Sequence, residues 1–145
     1  MRILAAAVSL SLIPACASAQ SAPAPRSGQG TCSKLVVAGQ DATASCAGKV
    51  STMTLPDGTL FVIFNAGRTM IGFSGRRADV ASGAPWPVGF VNIGVPDREP
   101  NAIPATGACR FGGPTPGAGR TSCSAQTGQG RFEAEFAAAG RPAPR

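Results

Sequence analysis

The 145-residue sequence predicts an all-β domain, a small antiparallel barrel or sandwich of about seven to eight short strands held by two disulfides. Periodicity is the first observation. No stretch repeats apolar residues at i, i+3, i+4 and i+7 over three turns, whereas several alternate or run apolar between Gly and Pro punctuation. Cysteine spacing is the second: "TCSKLVVAGQDATASC" and "ACRFGGPTPGAGRTSC" set Cys32 and Cys46, then Cys109 and Cys123, at one shared interval. The third is the opening, which places those cysteines in an oxidising compartment.

That opening, "MRILAAAVSLSLIPACASAQ", has a basic start at Arg2, an apolar run from Ile3 to Ile13 and Ala17-Ser18-Ala19 before Gln20. It has the plan of a secretory signal peptide, residues 1–19, with an apolar run too short to span a bilayer. Ile13-Pro14-Ala15-Cys16 also resembles a lipoprotein box, which would make Cys16 a lipid anchor. Cleavage before Gln20 removes Arg2 and Cys16, taking the net charge from +6 to +5 and leaving four cysteines. The Pro/Ala/Gly/Ser-rich stretches 20–30 and 138–145 read as flexible tails around one domain, 31–137.

Within the domain, Cys32 opposite Cys46 puts Ala38-Gly39-Gln40 at a hairpin loop, and Cys109 opposite Cys123 leaves Gly112 to Arg120 as a longer one. Each disulfide then staples its own hairpin; pairings of Cys32 with Cys109 or Cys123, and of Cys46 with the other, stay open at this stage. From Lys49 to Gly75 the pattern gives a three-stranded meander jointed at Pro56-Asp57-Gly58 and Asn65-Ala66-Gly67. Its middle strand, Thr59 to Asn65, is apolar on both faces and reads as a central strand covered on both sides. A strand follows near Val88 to Val95, then the loop "PDREPNAIPATG", and finally "GRFEAEF", whose alternation turns Phe132, Ala134 and Phe136 inward and Arg131, Glu133 and Glu135 to water.

The chain contains no histidine, which excludes Ser-His and Cys-His nucleophile pairs and imidazole metal sites. With the cysteines in disulfides, the reading has no catalytic residue, metal or cofactor. Glu133 and Glu135 are the sharpest carboxylate pair, about 7 Å apart at Cβ on one face of a strand. That spacing suits a glycosidase, but Arg131 shares the face and makes it a salt-bridged surface. Asp97 and Glu99 are too few for a calcium site. Arg76-Arg77 is an isolated basic pair without interleaved aromatics, so no nucleic-acid site is expected. The connection "FSGRRADVASGAPWPVGF" carries Arg76, Arg77 and the sole tryptophan, Trp86, residue types that dominate contact surfaces. These three are the candidate binding residues; alternatively Trp86, between two prolines, caps an open end of the fold.

From Cys32 to Phe136 the sequence resembles small exported bacterial proteins of no assigned activity, through the "CSKLVVAG" segment at Cys32 to Gly39, "FSG" at Phe73 to Gly75 and "GRFEAEF" at Gly130 to Phe136. The resemblance implies no functional residues. Size, disulfides and Ser74-Gly75 give a looser similarity to small periplasmic barrels that inhibit lysozyme, implying an inhibitor-like barrel acting on a lytic enzyme. The expectation is an exported, non-catalytic binding or envelope-associated module, in the periplasm or outside the cell, with no transmembrane segment in the mature chain. Its partner is a protein or an anionic envelope component.

Overall fold

The computed structural model describes residues 24–81 and 83–140; the expected signal peptide, Cys16 and the end of the C-terminal tail lie outside them. The strands are β1 (Arg26–Val37), β2 (Gln40–Asp41), β3 (Cys46–Thr54), β4 (Thr59–Ala66), β5 (Thr69–Arg76), β6 (Trp86–Gly94), β7 (Asn101–Phe111), β8 (Arg120–Thr127) and β9 (Gly130–Ala138). All pairings are antiparallel. Apart from the short β2, they form one eight-stranded sheet that closes through a β1–β9 pairing. The fold is a closed barrel rather than a sandwich.

Closure depends on β1 changing partners along its length. Its first residues, Arg26 to Gln29, pair with β3, and the stretch from Gly30 to Val36 pairs with β9. Glycine stands at the crossover because a Cβ on Gly30 would run into the carbonyl of Ala137. The strand therefore begins at Arg26, and the expected flexible segment 20–30 ends before it. At its other end, Ala38 and Gly39 (φ 50° and 82°) make the tight turn into β2 that the hairpin reading placed there.

Both disulfides close as hairpin staples, Cys32 to Cys46 and Cys109 to Cys123. Cys109 and Cys123 are directly opposed on β7 and β8 and buried. The first pair joins β1 to the start of β3, around the β1–β2 turn and a short 3-10 turn, Thr43–Ser45.

The lumen is filled. Leu35, Val50, Val62, Phe64, Ile71, Phe73, Trp86, Val91, Phe132 and Ala134 have no solvent exposure, as an eight-stranded barrel of this width requires. Phe64 and Phe73 meet edge to face with ring centroids 5.9 Å apart.

Two expectations are corrected. The expected loop 96–107 is mostly strand: β7 starts at Asn101, and only the stretch up to Pro100 connects it to β6. Pro104 is tolerated because it sits where the β6–β7 register shifts, between Val88 and Phe90. The meander exists, with its second turn at Gly67-Arg68, but β4 is covered on one face only. Leu60, Val62 and Phe64 enter the core, while Phe61 and Ile63 stay partly exposed on the outside.

Candidate functional site

The barrel mouth is built where β1 begins, β3 ends and two loops arrive. Thr52 and Thr54 share the inward phase of Val50. Beyond the last core layer they leave hydroxyls instead of hydrocarbon. Arg26 pairs with Thr52 across the sheet, and Leu60, nearly fully buried, lies beneath. Thr115 and Pro116 come from the β7–β8 loop. These residues, with Ala24 and Arg77, line a cavity of about 200 Å³. An adjoining cavity of about 230 Å³ shares Arg26, Thr52, Thr115 and Pro116 and extends to Ser27.

Arg77 is held at this mouth through its backbone. It opens a 3-10 turn, Arg77–Asp79, that follows β5, and its N–H donates to the Gly58 carbonyl at 2.8 Å. The preceding carbonyl, that of Arg76, accepts a hydrogen bond from the indole Nε1–H of Trp86 at 2.8 Å. Trp86 itself has no solvent exposure and packs at 5.7 Å from Phe111. It therefore offers no ring to a partner: β6 alternation turns Trp86 and Val88 together into the lumen. What the sequence grouped as one contact surface separates into a buried anchor, Trp86, and two exposed arginines. Arg77 lines the mouth, whereas Arg76 lines an outer cavity of about 310 Å³ with Asp79, Thr59 and Phe90.

Among the described residues, the ion pairs are Lys34 to Glu133 at 2.8 Å and Arg131 to Glu133. Neither Arg26 nor Arg77 is ion-paired. Glu133 sits on β9, away from the mouth, and the Lys34 ammonium that hydrogen-bonds it, with Arg131 beside it, holds its carboxyl below the ordinary carboxylate range. A group so kept ionised is a poor general acid, which needs a raised pKa. Among the described residues no three His, Cys, Asp or Glu side chains gather as a metal site, and no helix is long and apolar enough to cross a membrane.

A second surface escaped the sequence reading. Pairing across β3 to β7 aligns Met53, Phe61, Ser74, Phe90 and Pro104 in one outward row and Ser51, Ile63, Gly72, Asn92 and Ala102 in the next. Asn65, Met70 and Gly94 continue the field. None of these positions carries a charge. Its centre is a groove of about 460 Å³ lined by Met53, Leu55, Phe61, Ile63, Met70 and Pro100 over Gly72 and Gly94. Its polar lining is the Asn92 amide, which donates to Ser74 Oγ at 2.8 Å. The signal was present in the two apolar phases of β4. The opposite wall, β8, β9 and β1, turns Arg120, Gln126, Arg131, Glu133, Glu135 and Lys34 outward.

Compared with known protein families, curated proteins and solved structures, the chain finds no match in any of the three.

Proposed function

We propose that this chain is an exported, non-catalytic binding module that receives an anionic group of a cell-envelope component at the barrel mouth. The observation that carries the reading is the pair of guanidinium groups, Arg26 and Arg77, without ion-pair partners around a cavity walled by the hydroxyl residues Thr52, Thr54 and Thr115. A guanidinium presents a rigid fork of donors suited to carboxylate or phosphate, and threonine hydroxyls add donors that can turn to meet the remaining oxygens. Barrel mouths are common ligand sites. Here the packed lumen confines the ligand to the rim, so a single charged group or sugar-sized moiety is the natural guest. No histidine or free thiol faces this mouth, which supports binding without chemistry.

Export is supported by the signal-like residues 1–19 together with two disulfides, which persist in oxidising compartments. Intact mass of the protein recovered from its native host should correspond to a chain starting at Gln20. A diacylglycerol adduct on Cys16 would instead make it a membrane-anchored form.

Calorimetric titration with glucuronate and with inorganic phosphate tests the site. Charge-assisted hydrogen bonds are worth about 1.5–3 kcal/mol each. Arg77→Ala and Arg26→Ala should each weaken binding about tenfold or more, and Arg131→Ala on the opposite wall should leave it unchanged. Equal binding by all the variants, or no binding by the native protein, would remove the mouth as the site.

A further inference from the structure

We propose that the uncharged wall of β4 to β6 is a self-association surface on which two copies of this chain meet about a two-fold axis, each inserting Phe90 into the other's groove. The proposal is independent of the anion site. Among the described residues the exposed large apolar side chains are Met70, Phe90 and Val95, at 39%, 48% and 36% exposure. Two lie on β5 and β6 and the third immediately follows β6. Apolar exposure so concentrated, on a wall without charges, marks an interaction surface rather than random scatter.

The wall holds both a knob and a hole. Phe90 stands on β6 opposite Ser74, two residues from Asn92, which faces Gly72 on the groove floor. Knob and hole are thus about 7 Å apart along the strand, and reversing one copy about an axis between them sets each Phe90 over the other's Gly72 and Gly94. Such reciprocity, residue i on j and j on i, is what an isologous dimer requires. Met53 and Met70, unbranched and polarizable, can adjust around an entering ring.

Charge permits this partner. The protein is net positive, so two copies repel over most of their surfaces. Around this wall, however, Lys49, Arg68, Arg76 and Arg98 are balanced by Asp57, Asp79, Asp97 and Glu99, in the flanking turns and strand ends. A balanced rim carries no net repulsion to oppose contact between two such faces, and gives an anionic bilayer no long-range attraction to this side. Strand addition is closed off because the barrel's main strands leave no free sheet edge.

Size sets the strength. Curvature limits contact to β4–β6 and the side chains beside them, roughly 20 Å by 20 Å from strand spacing and rise with side chains included. Two such faces bury roughly 800 Å², at the weak end of specific interfaces. The dimer should therefore be concentration-dependent.

Sedimentation equilibrium on the full mature chain, from about 10 μM to about 1 mM, should show a reversible monomer–dimer equilibrium. Phe90→Asp places a charge on the exposed knob, and should raise the dissociation constant more than about tenfold. Gly72→Leu fills the hole. A Cβ at Gly72 meets Asn92 Cβ, Ile63 Cγ1 and Phe61 Cδ1 at 3.6, 3.7 and 3.7 Å, ordinary contacts, so the folded barrel can accommodate the branch point while the groove is blocked. Circular dichroism and melting of both variants verify folding. A chain that stays monomeric at about 1 mM overturns the proposal, as does a dimer that survives both folded variants. Monomers that instead bind phosphatidylglycerol or phosphatidylcholine vesicles through Phe90 would assign the wall to lipid and overturn it equally.

Discussion

Trp86 shows how a residue can matter to binding without touching a ligand. Its ring fills the lumen beside Phe111, and its one polar atom donates to the carbonyl of Arg76, the residue before the arginine that lines the mouth. A buried indole usually finds such a partner, and removing the donor leaves the acceptor to be satisfied elsewhere. Trp86→Phe should cost about 1–3 kcal/mol in urea unfolding. It should also weaken anion binding, since the 3-10 turn carrying Arg77 loses an anchor. Native-like affinity in a destabilised Trp86→Phe protein would separate Trp86 from the site. Sequence alone could identify Trp86 as an unusual residue in a turn-rich connection. It could not give the β6 phase, because proline on both sides of Trp86 removed the alternation that would have shown it facing inward.

At the scale of single strands, legibility followed the clarity of alternation. β9 was readable residue by residue: Phe132, Ala134 and Phe136 are buried, and Glu133 is salt-bridged as its neighbours implied. β7 was not, because Pro100 and Pro104 read as loop punctuation, whereas the fold accommodates the second at a register shift. β4 was readable in both faces but not in what lay over them, since coverage is a property of tertiary neighbours. The hairpin staples were legible because a disulfide across paired strands fixes the cysteine interval. β9 also yields a pH prediction. Glu133 has a folded pKa lowered by Lys34 and Arg131 from an ordinary 4.5, so the unfolded chain takes up the proton first as pH falls. The ionised form therefore stabilises the fold fully above the unfolded value and loses that contribution as pH drops through the folded one. Thermal melts of native protein and Glu133→Gln should differ by a constant amount above about pH 6 and converge progressively below about pH 4.5. A gap that widens on acidification would contradict the ion-pair assignment.

For the molecule as a whole, closure organises the rest. A sheet joined through β1 to β9 has a packed interior, so recognition is left to rims and outer walls. Barrel and sandwich could not be distinguished from the sequence, because the deciding contact joins β1 to β9, near opposite ends of the domain, and leaves no local pattern. The same nonlocality hid the mouth: Arg26, Thr52, Arg77 and Thr115 are scattered along the chain, and only Arg77 stood out by type and context. The central claim is that this mouth receives an anionic group, and the single tryptophan makes it directly testable. In a ¹H–¹⁵N correlation spectrum the Trp86 indole N–H gives one isolated signal, bonded to the carbonyl preceding Arg77. Titrating glucuronate should shift that signal and the amides of Thr52, Thr54, Arg77 and Thr115 along one saturable curve, while Glu133 and Glu135 on β9 stay still. A spectrum unchanged at the mouth, or shifts confined to β8 and β9, would contradict the account.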